Sequence, residues 1–118
     1  MIIANLPPQS NRADWIECIE FKDDDANQDG ENELIDLTGS TIVITVRDED
    51  GCQVLNASTT DGSIVIVSLG LAEYTFPRSS MTNLRPDTYE VGGTLERGGE
   101  TMQFLIGTVP IVDGVVTR

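Results

Sequence analysis

The sequence contains no histidine and few basic or aromatic residues. Among its 118 residues, seven Lys and Arg stand against 20 Asp and Glu, which gives a formal net charge of −13. Without histidine, the chain lacks the side chain that most often serves as a general base near neutral pH. It also contains no nucleophile motif and no glycine-rich loop that leads into a helix and could hold phosphate. We therefore expect a protein that is not an enzyme.

The shortage of basic residues also bears on the partners of the chain. A net charge of −13 repels the phosphates of nucleic acids and the anionic headgroups of membranes. No apolar run approaches the ~20 residues that cross a bilayer, and the N-terminus lacks the basic start of a secretory signal. Neither nucleic acid nor a membrane is expected as a partner.

Cysteine is rare as well, because the chain has only Cys18 and Cys52. The two are far apart in the sequence, and neither has a second ligand at the spacing that zinc sites use, so a zinc site within this chain is not expected. Two states of the thiols fit the sequence. Either both are free and partly buried, or they form a disulfide within one chain or between chains.

Short apolar–polar alternations separated by turn residues run from residue 15 to residue 118. Alternation of period two is typical of strands that bury one face. Three sets of residues are expected to share a face: Trp15, Glu17, Ile19 and Phe21; Ile42, Ile44 and Val46; and Ala72, Tyr74 and Phe76. A chain of this length fits one domain. The sequence thus predicts an all-β domain, an antiparallel β-sandwich of about seven strands.

One strand-like run departs from this alternation. Residues 64–67 read Ile-Val-Ile-Val and are apolar throughout. Such a run fits a strand that is covered on both faces, and it fits equally a strand at a contact between subunits.

The clearest strand pairing is predicted around Gly98-Gly99. Two glycines can form a two-residue hairpin turn between the apolar runs on either side. This turn sets the register and predicts three opposed pairs on one buried face: Leu95 with Met102, Gly93 with Phe104, and Val91 with Ile106. The Phe104 ring is expected to lie over the bare backbone of Gly93.

A tyrosine near the start of a strand gives a further indication of the fold. Residues 84–91 place Leu84 and a proline just before a strand that opens with Tyr89. This segment resembles the tyrosine corner of immunoglobulin-like and fibronectin-like sandwiches, in which the ring packs inward and its hydroxyl bonds an upstream backbone group. The resemblance implies an immunoglobulin-like β-sandwich in which Leu84 and Tyr89 have structural roles.

Residues 1–14 differ in character from the rest of the chain. They carry two consecutive prolines and a polar run, which favour extended backbone, and they show no core-facing period. We expect an extended N-terminal arm outside the domain of residues 15–118. It is either a frayed terminus or a strap that orders on a neighbouring subunit, with Ile2, Ile3 and Leu6 as anchors.

The acidic stretch from residue 23 to residue 36 is the segment with cofactor-like spacing. It reads Asp-x-Asn-x-Asp-Gly from its third aspartate, and calcium loops place oxygen ligands at these offsets around a glycine bend. The candidate calcium ligands are Asp25, Asn27, Asp29, Glu31 and Asp36. The loop closes on aspartate rather than glutamate and its flanks are strand-like, so a solvated hairpin loop without any cofactor also fits.

Five short segments form an ordered series along the chain: residues 35–42, 46–48, 61–64, 84–89 and 104–109. Taken in this order, they resemble small virion modules of tailed bacteriophages. The similarity is to the immunoglobulin-like N-terminal domain of phage baseplate upper proteins and to related tail and neck proteins. That family has no catalytic residues. The resemblance implies a virion protein, made in the host bacterial cytoplasm, that joins other virion proteins in a symmetric homo-oligomeric ring or collar.

Three functions remain open at this point. The first is an adaptor or decoration subunit of the tail, baseplate or neck, in which the N-terminal arm pairs with an exposed edge strand of a neighbour. For this function we expect removal of residues 1–14 to leave a folded monomer and to abolish assembly. The second is a capsid decoration protein. The third is a calcium-dependent carbohydrate- or receptor-binding module built on the acidic stretch.

Overall fold

The computed structural model describes residues 2–21 and 36–115, which form nine strands and one short helix. In chain order these are β1 (Ile2–Asn5), β2 (Gln9–Ser10), β3 (Trp15–Glu20), β4 (Thr41–Arg47), β5 (Gln53–Ser58), β6 (Ile64–Ser68), β7 (Leu71–Phe76), α1 (Arg78–Met81), β8 (Asp87–Arg97) and β9 (Glu100–Val112). β-Branched residues fill most of β4 and β6, which favours extended backbone there.

The strands form two sheets that pack against each other. In one sheet the order is β1-β9-β8-β4-β5, with β2 also paired to β9, and in the other it is β3-β7-β6. With β3 to β9 taken as strands B, C, C′, D, E, F and G, the sheets have the orders G-F-C-C′ and B-E-D, in which these strands lie in a variable-type immunoglobulin domain. All pairings among β3 to β9 are antiparallel. The all-β sandwich that the sequence predicts is therefore confirmed.

The core lies between the sheets and takes alternate residues from each strand. The inward residues predicted for β4 and β7 are all buried: Ile42, Ile44, Val46, Ala72, Tyr74 and Phe76. Trp15 packs among them, with its ring 5.6 Å from that of Tyr74 and 5.0 Å from that of Phe76. Trp15, Tyr74 and Tyr89 are all buried, so their rings are not available to stack on a sugar.

The β8–β9 hairpin turns where the sequence predicts. Gly98 and Gly99 have φ angles of 59° and 84°, in the left-handed region that glycine adopts without strain. Next to the turn the predicted register is correct, because Leu95 opposes Met102.

A β-bulge changes the register farther from the turn. Phe104 is an extra residue in β9, and it shifts the two remaining predicted pairs by one position: Gly93 opposes Leu105, and Val91 opposes Gly107. The predicted pairs of Gly93 with Phe104 and of Val91 with Ile106 are therefore wrong. The expectation of one shared buried face is wrong as well, since Met102 and Ile106 are 48% and 42% exposed. For Ile106 the bulge is the reason, because a shift of one residue moves a side chain to the opposite face of a sheet.

The Phe104 ring nevertheless lies against the backbone of Gly93. A Cβ atom built on Gly93 would lie 2.6 Å from Phe104 Cζ, which is closer than any relaxed contact. On its other side the Phe104 ring packs edge-to-face on Phe21, with ring centroids 4.9 Å apart. The missing side chain of Gly93 thus makes room for an aromatic pair that bridges the two sheets.

We expect Gly93→Ala to lower the free energy of unfolding by about 1–3 kcal/mol, because the added methyl group displaces the Phe104 ring. Gly92→Ala is the matched control, since a Cβ atom there would lie 3.5 Å from Gln103 Nε2, an ordinary contact. Both substitutions reduce the entropy of the unfolded chain equally. Urea unfolding of the two variants measures the difference, and equal stabilities would contradict the packing role of Gly93.

The start of β8 has the geometry of a tyrosine corner. Tyr89 is buried, and its hydroxyl donates a hydrogen bond to the Arg85 carbonyl at 2.7 Å. Burial raises the pKa of Tyr89 above its usual value. Leu84 is buried just upstream and belongs to the same core. Both residues thus occupy the structural positions that the sequence assigns to them.

The N-terminal segment lies on the sandwich rather than outside it. β1 and β2 both pair in parallel with β9, from Ile2 opposite Leu105 to Ser10 opposite Val112. An outer strand such as β9 has unpaired backbone groups on its free side, and an extended segment satisfies them. Residues 2–14 are therefore part of the sandwich, in place of the separate arm that their sequence favours.

Candidate assembly surfaces

An apolar surface lies along the outer edge of the smaller sheet. β6 is the last strand of that sheet, and no strand in the described part of the chain pairs with its other side. Val65, Val67 and Leu69 are 52%, 49% and 58% exposed, and Ile66 is 37% exposed. Residues 64–69 are termed the β6 edge. The sequence of residues 64–67 fits either a strand covered on both faces or a strand at a contact between subunits. Among the described residues the first interpretation is wrong, because the side chains of Val65, Ile66 and Val67 are exposed. The second stays a prediction.

Within the part of the chain that the structure describes, the backbone of the β6 edge has hydrogen-bonding groups that face away from β7 and pair with no other strand. The Thr75 N–H donates to the Ser63 carbonyl at 2.9 Å, and Val65 opposes Glu73 in the ladder between β6 and β7. Backbone groups along an antiparallel strand point alternately to its two sides. This alternation directs the N–H and C=O of Ile66 away from β7, toward the open side of the sheet.

The β6 edge lacks the features that usually protect an exposed strand. Natural edge strands carry charged residues, above all lysine, or proline. Residues 62–72 contain neither, although 23% of the residues in the chain are charged. A β-bulge between Ile66 and Ser68 limits the regular part of the strand. The first residues of β6 are therefore open to main-chain pairing with another strand.

A depression of about 370 Å³ separates the β6 edge from residues 36–38. The Asp36 carboxylate accepts a hydrogen bond from the Thr38 N–H at 3.0 Å, and hydrogen bonding from Thr38 lowers the pKa of Asp36. Among the described residues, no group of three or more acidic residues or cysteines is placed to hold a metal ion. The remaining calcium candidates lie outside the described residues: Asp25, Asn27, Asp29 and Glu31.

The predicted anchors of the N-terminal segment lie against their own chain. Ile2 and Ile3 pair with β9, and the Leu6 N–H donates to the Thr108 carbonyl at 2.8 Å. Leu6 is half-buried and packs against the core. The sequence also allows these three residues to anchor the segment on a neighbouring subunit, and that contact stays a prediction.

Asn11 fastens the N-terminal segment to two other parts of the fold. Its side chain is 0% exposed, and Nδ2 donates to the Leu84 carbonyl at 3.0 Å. Oδ1 accepts from Arg12 Nη1 at 2.9 Å and from the Gly114 N–H at 3.2 Å. The Asn11 N–H donates to the Val112 carbonyl at 3.0 Å. The sequence does not reveal the role of Asn11, because one asparagine in a polar run has no periodic signal.

A groove of about 230 Å³ opens between the sheets beside β3. It is lined in part by Leu6 and Phe104, and by Glu17, whose carboxylate accepts from Gln9 Nε2 at 3.1 Å and from Tyr74 Oη at 3.2 Å. Burial is the main cause that raises the pKa of Tyr74 above its usual value, and the nearby negative charge of Glu17 raises it further. The folded state therefore keeps the Tyr74 phenol neutral.

We expect the protein to lose stability as the pH rises above about 10, the pKa of an unfolded tyrosine. The folded state raises the pKa of Tyr74, so the neutral phenol contributes fully to the free energy of unfolding below about pH 10. Above that pH this contribution is lost, at up to about 1.4 kcal/mol per pH unit. Urea unfolding between pH 8 and pH 11.5 measures this slope. Tyr74→Phe should remove most of it, whereas Tyr89→Phe should retain it in large part. An unchanged slope in Tyr74→Phe would refute the assignment.

The outer face of the larger sheet carries a shallow trough of about 410 Å³. Gly92 and Gly107 help to line it and contribute no side chains, while Ile106 borders it and is 42% exposed. At the trough Arg47 and Glu90 form an ion pair at 2.9 Å with both side chains exposed. An exposed ion pair of this kind contributes about 0–1 kcal/mol to the free energy of unfolding. The trough is a second accessible surface, with mixed polar and apolar character.

Both cysteines are free and exposed in the structure. The prediction that both thiols are partly buried is therefore wrong. Cys18 and Cys52 form no disulfide with each other. Cys18 alternates with the inward residues of β3 and so lies on its outer face, while Cys52 immediately precedes β5. A disulfide between chains stays a prediction.

Comparison with models of known protein families finds no match to this chain, and comparison with curated protein sequences finds none either. Among the residues that the structure describes, no helix is long and apolar enough to cross a membrane. The function therefore has to be inferred from the surfaces of the sandwich.

Proposed function

We propose that this protein is a non-enzymatic structural subunit that acts by binding other protein chains. The β6 edge is the observation that carries this proposal, because it combines exposed apolar side chains with the backbone of an uncharged outer strand, whose free side no described strand covers. An open edge of this kind is a template for a further strand, and an exposed apolar surface is typical of a protein–protein contact.

The place we propose for this subunit is the tail, baseplate or neck of a tailed-phage virion. The ordered segments of the sequence support it, because they resemble small virion modules that assemble through sandwich faces, edge strands and terminal segments. The chain folds as an all-β sandwich, which is compatible with this proposal. Residues 61–64 of the series lead into the β6 edge, and residues 84–89 form the tyrosine corner.

Antibody labelling of purified virions tests this proposal. We expect the label at the tail end of particles from cells that make the protein, and no label on particles from cells in which its gene is deleted. Label on the head would replace the tail assignment by capsid decoration. If the protein is missing from purified particles of every kind, the proposal is refuted.

A further inference from the structure

We infer that the partner of the β6 edge is a second copy of this chain, paired antiparallel with the first about a two-fold axis at Ile66. This inference rests on the proposed function, since it names the partner of the same surface. Two copies joined in this way would fuse their three-stranded sheets into one continuous sheet of six strands.

The sequence of the β6 edge fits itself. Val65-Ile66-Val67 reads the same in both directions, so antiparallel pairing about Ile66 places Val65 of one copy opposite Val67 of the other. The N–H and C=O of Ile66, which point away from β7, then form the two central hydrogen bonds across the axis. A two-fold contact requires a patch that is complementary to its own copy, and this strand meets that requirement.

Charge also favours a second copy over a basic partner. Residues 62–72 carry no charge, so a basic protein would find no carboxylate on β6 to pair with. A second β6 strand brings no charge to the contact either. The net charge of −13 on each copy opposes approach at long range, but salt screens it beyond about 10 Å at 0.1 M ionic strength. Association of two copies should therefore strengthen with salt, whereas binding of a basic partner should weaken.

The size of the contact sets its strength. Stable protein interfaces bury about 800 Å² on each partner. β6 is a strand of five residues, too short to bury that area alone. The dimer is therefore weak in dilute solution. It becomes effective when other contacts of an assembly hold the copies close together, because the local concentration is then high.

Sedimentation equilibrium of the full chain tests the contact at 0.05 M and 0.5 M NaCl. We expect concentration-dependent dimers that are several-fold tighter at the higher salt. Val65→Lys should weaken them at least tenfold, although it makes the net charge of each copy less negative. Ile106→Lys is the matched control, since Ile106 is 42% exposed on the other sheet and its replacement should leave the dimer unchanged. Monomers at all concentrations, or equal effects of the two substitutions, would overturn the inference.

Cross-linking tests the register independently. In a Cys18→Ser, Cys52→Ser background, Ile66→Cys places one cysteine on the axis, where two Cα atoms of a hydrogen-bonded pair lie about 5.5 Å apart, within disulfide range. We expect rapid formation of a disulfide between chains. Ile16→Cys, on the outer face of β3, is the control and should cross-link only at the collisional rate. Equal rates would refute pairing at Ile66.

The virion and solution experiments separate the two proposals. If Val65→Lys removes the protein from virions while the purified chain stays monomeric, the β6 edge binds a different protein: the proposed function holds and the second copy is refuted. If the chain dimerises through β6 in solution but is missing from virions, the dimer holds and the proposed location is refuted.

Discussion

Replacing Asn11 by alanine is expected to lower the free energy of unfolding by about 3–5 kcal/mol, the largest loss from one substitution that we predict. The change removes three side-chain hydrogen bonds and leaves the Leu84 carbonyl and the Gly114 N–H without their partner. Each buried polar group left unpaired costs about 1–3 kcal/mol. The loss is large because Asn11 is fully buried, so water does not replace the missing partner.

Urea unfolding of Asn11→Ala measures this loss, and two further variants divide it. Asn11→Asp keeps the oxygen that accepts from Arg12 and Gly114 but turns the donor to Leu84 into an acceptor, so its loss should be smaller at low pH, where a protonated carboxyl can donate to Leu84 again. Asn83→Ala removes an exposed asparagine and serves as the control, with an expected change within about 0.5 kcal/mol. A result for Asn11→Ala as small as that of Asn83→Ala would show that Asn11 does not fasten the segment.

Removal of residues 1–14 is expected to destabilise the fold by more than about 5 kcal/mol, which exceeds the stability of many small domains. The truncation deletes β1, β2 and the Asn11 hydrogen bonds. It also deletes the ion pair of Arg12 with Asp113 at 3.5 Å and the Asp14 carboxylate that accepts from the Arg78 N–H at 2.6 Å. The folded monomer expected from the sequence for this truncation does not agree with these contacts.

Removal of residues 1–5 isolates the role of β1. This truncation takes away one outer strand and keeps Leu6 and Asn11, so we expect a loss of only about 1–2 kcal/mol. Urea unfolding compares the two truncations, and comparable losses would contradict the role of Asn11. Because we expect the shorter truncation to stay folded, it also tests assembly. Full incorporation into virions without residues 1–5 would show that Ile2 and Ile3 do not anchor a neighbouring subunit.

The parts of the fold that sequence predicts are those in which side chains alternate between core and solvent. β4 and β7 are examples, because their inward residues recur with period two and burial enforces that pattern. The tyrosine corner is similar, since the positions of Leu84 and Tyr89 relative to the strand fix one hydrogen bond. In these cases a local pattern and the tertiary contact agree.

The features that sequence misses depend on backbone pairing or on one extra residue. The bulge at Phe104 is hard to place from the period-two pattern, because residues 104–106 are all apolar and hide where the alternation changes phase. Only the packing of Phe104 against Gly93 and Phe21 places the extra residue. β1 joins β9 through main-chain groups that every residue possesses. The exposure of the β6 edge depends on which strand lies beside it, and an apolar run fits a buried strand equally well.

β1 and β9 run in the same direction, and this determines how the domain responds to tension. A force that pulls residue 2 and residue 112 apart acts along both strands and loads their four residue pairs in shear at the same time. The antiparallel β8–β9 hairpin, pulled at its open end, would instead peel apart one bond at a time. Resistance to force depends on the rate of unfolding rather than on equilibrium stability. We therefore expect the parallel pairing of β1 with β9 to resist force along the strands better than the hairpin would.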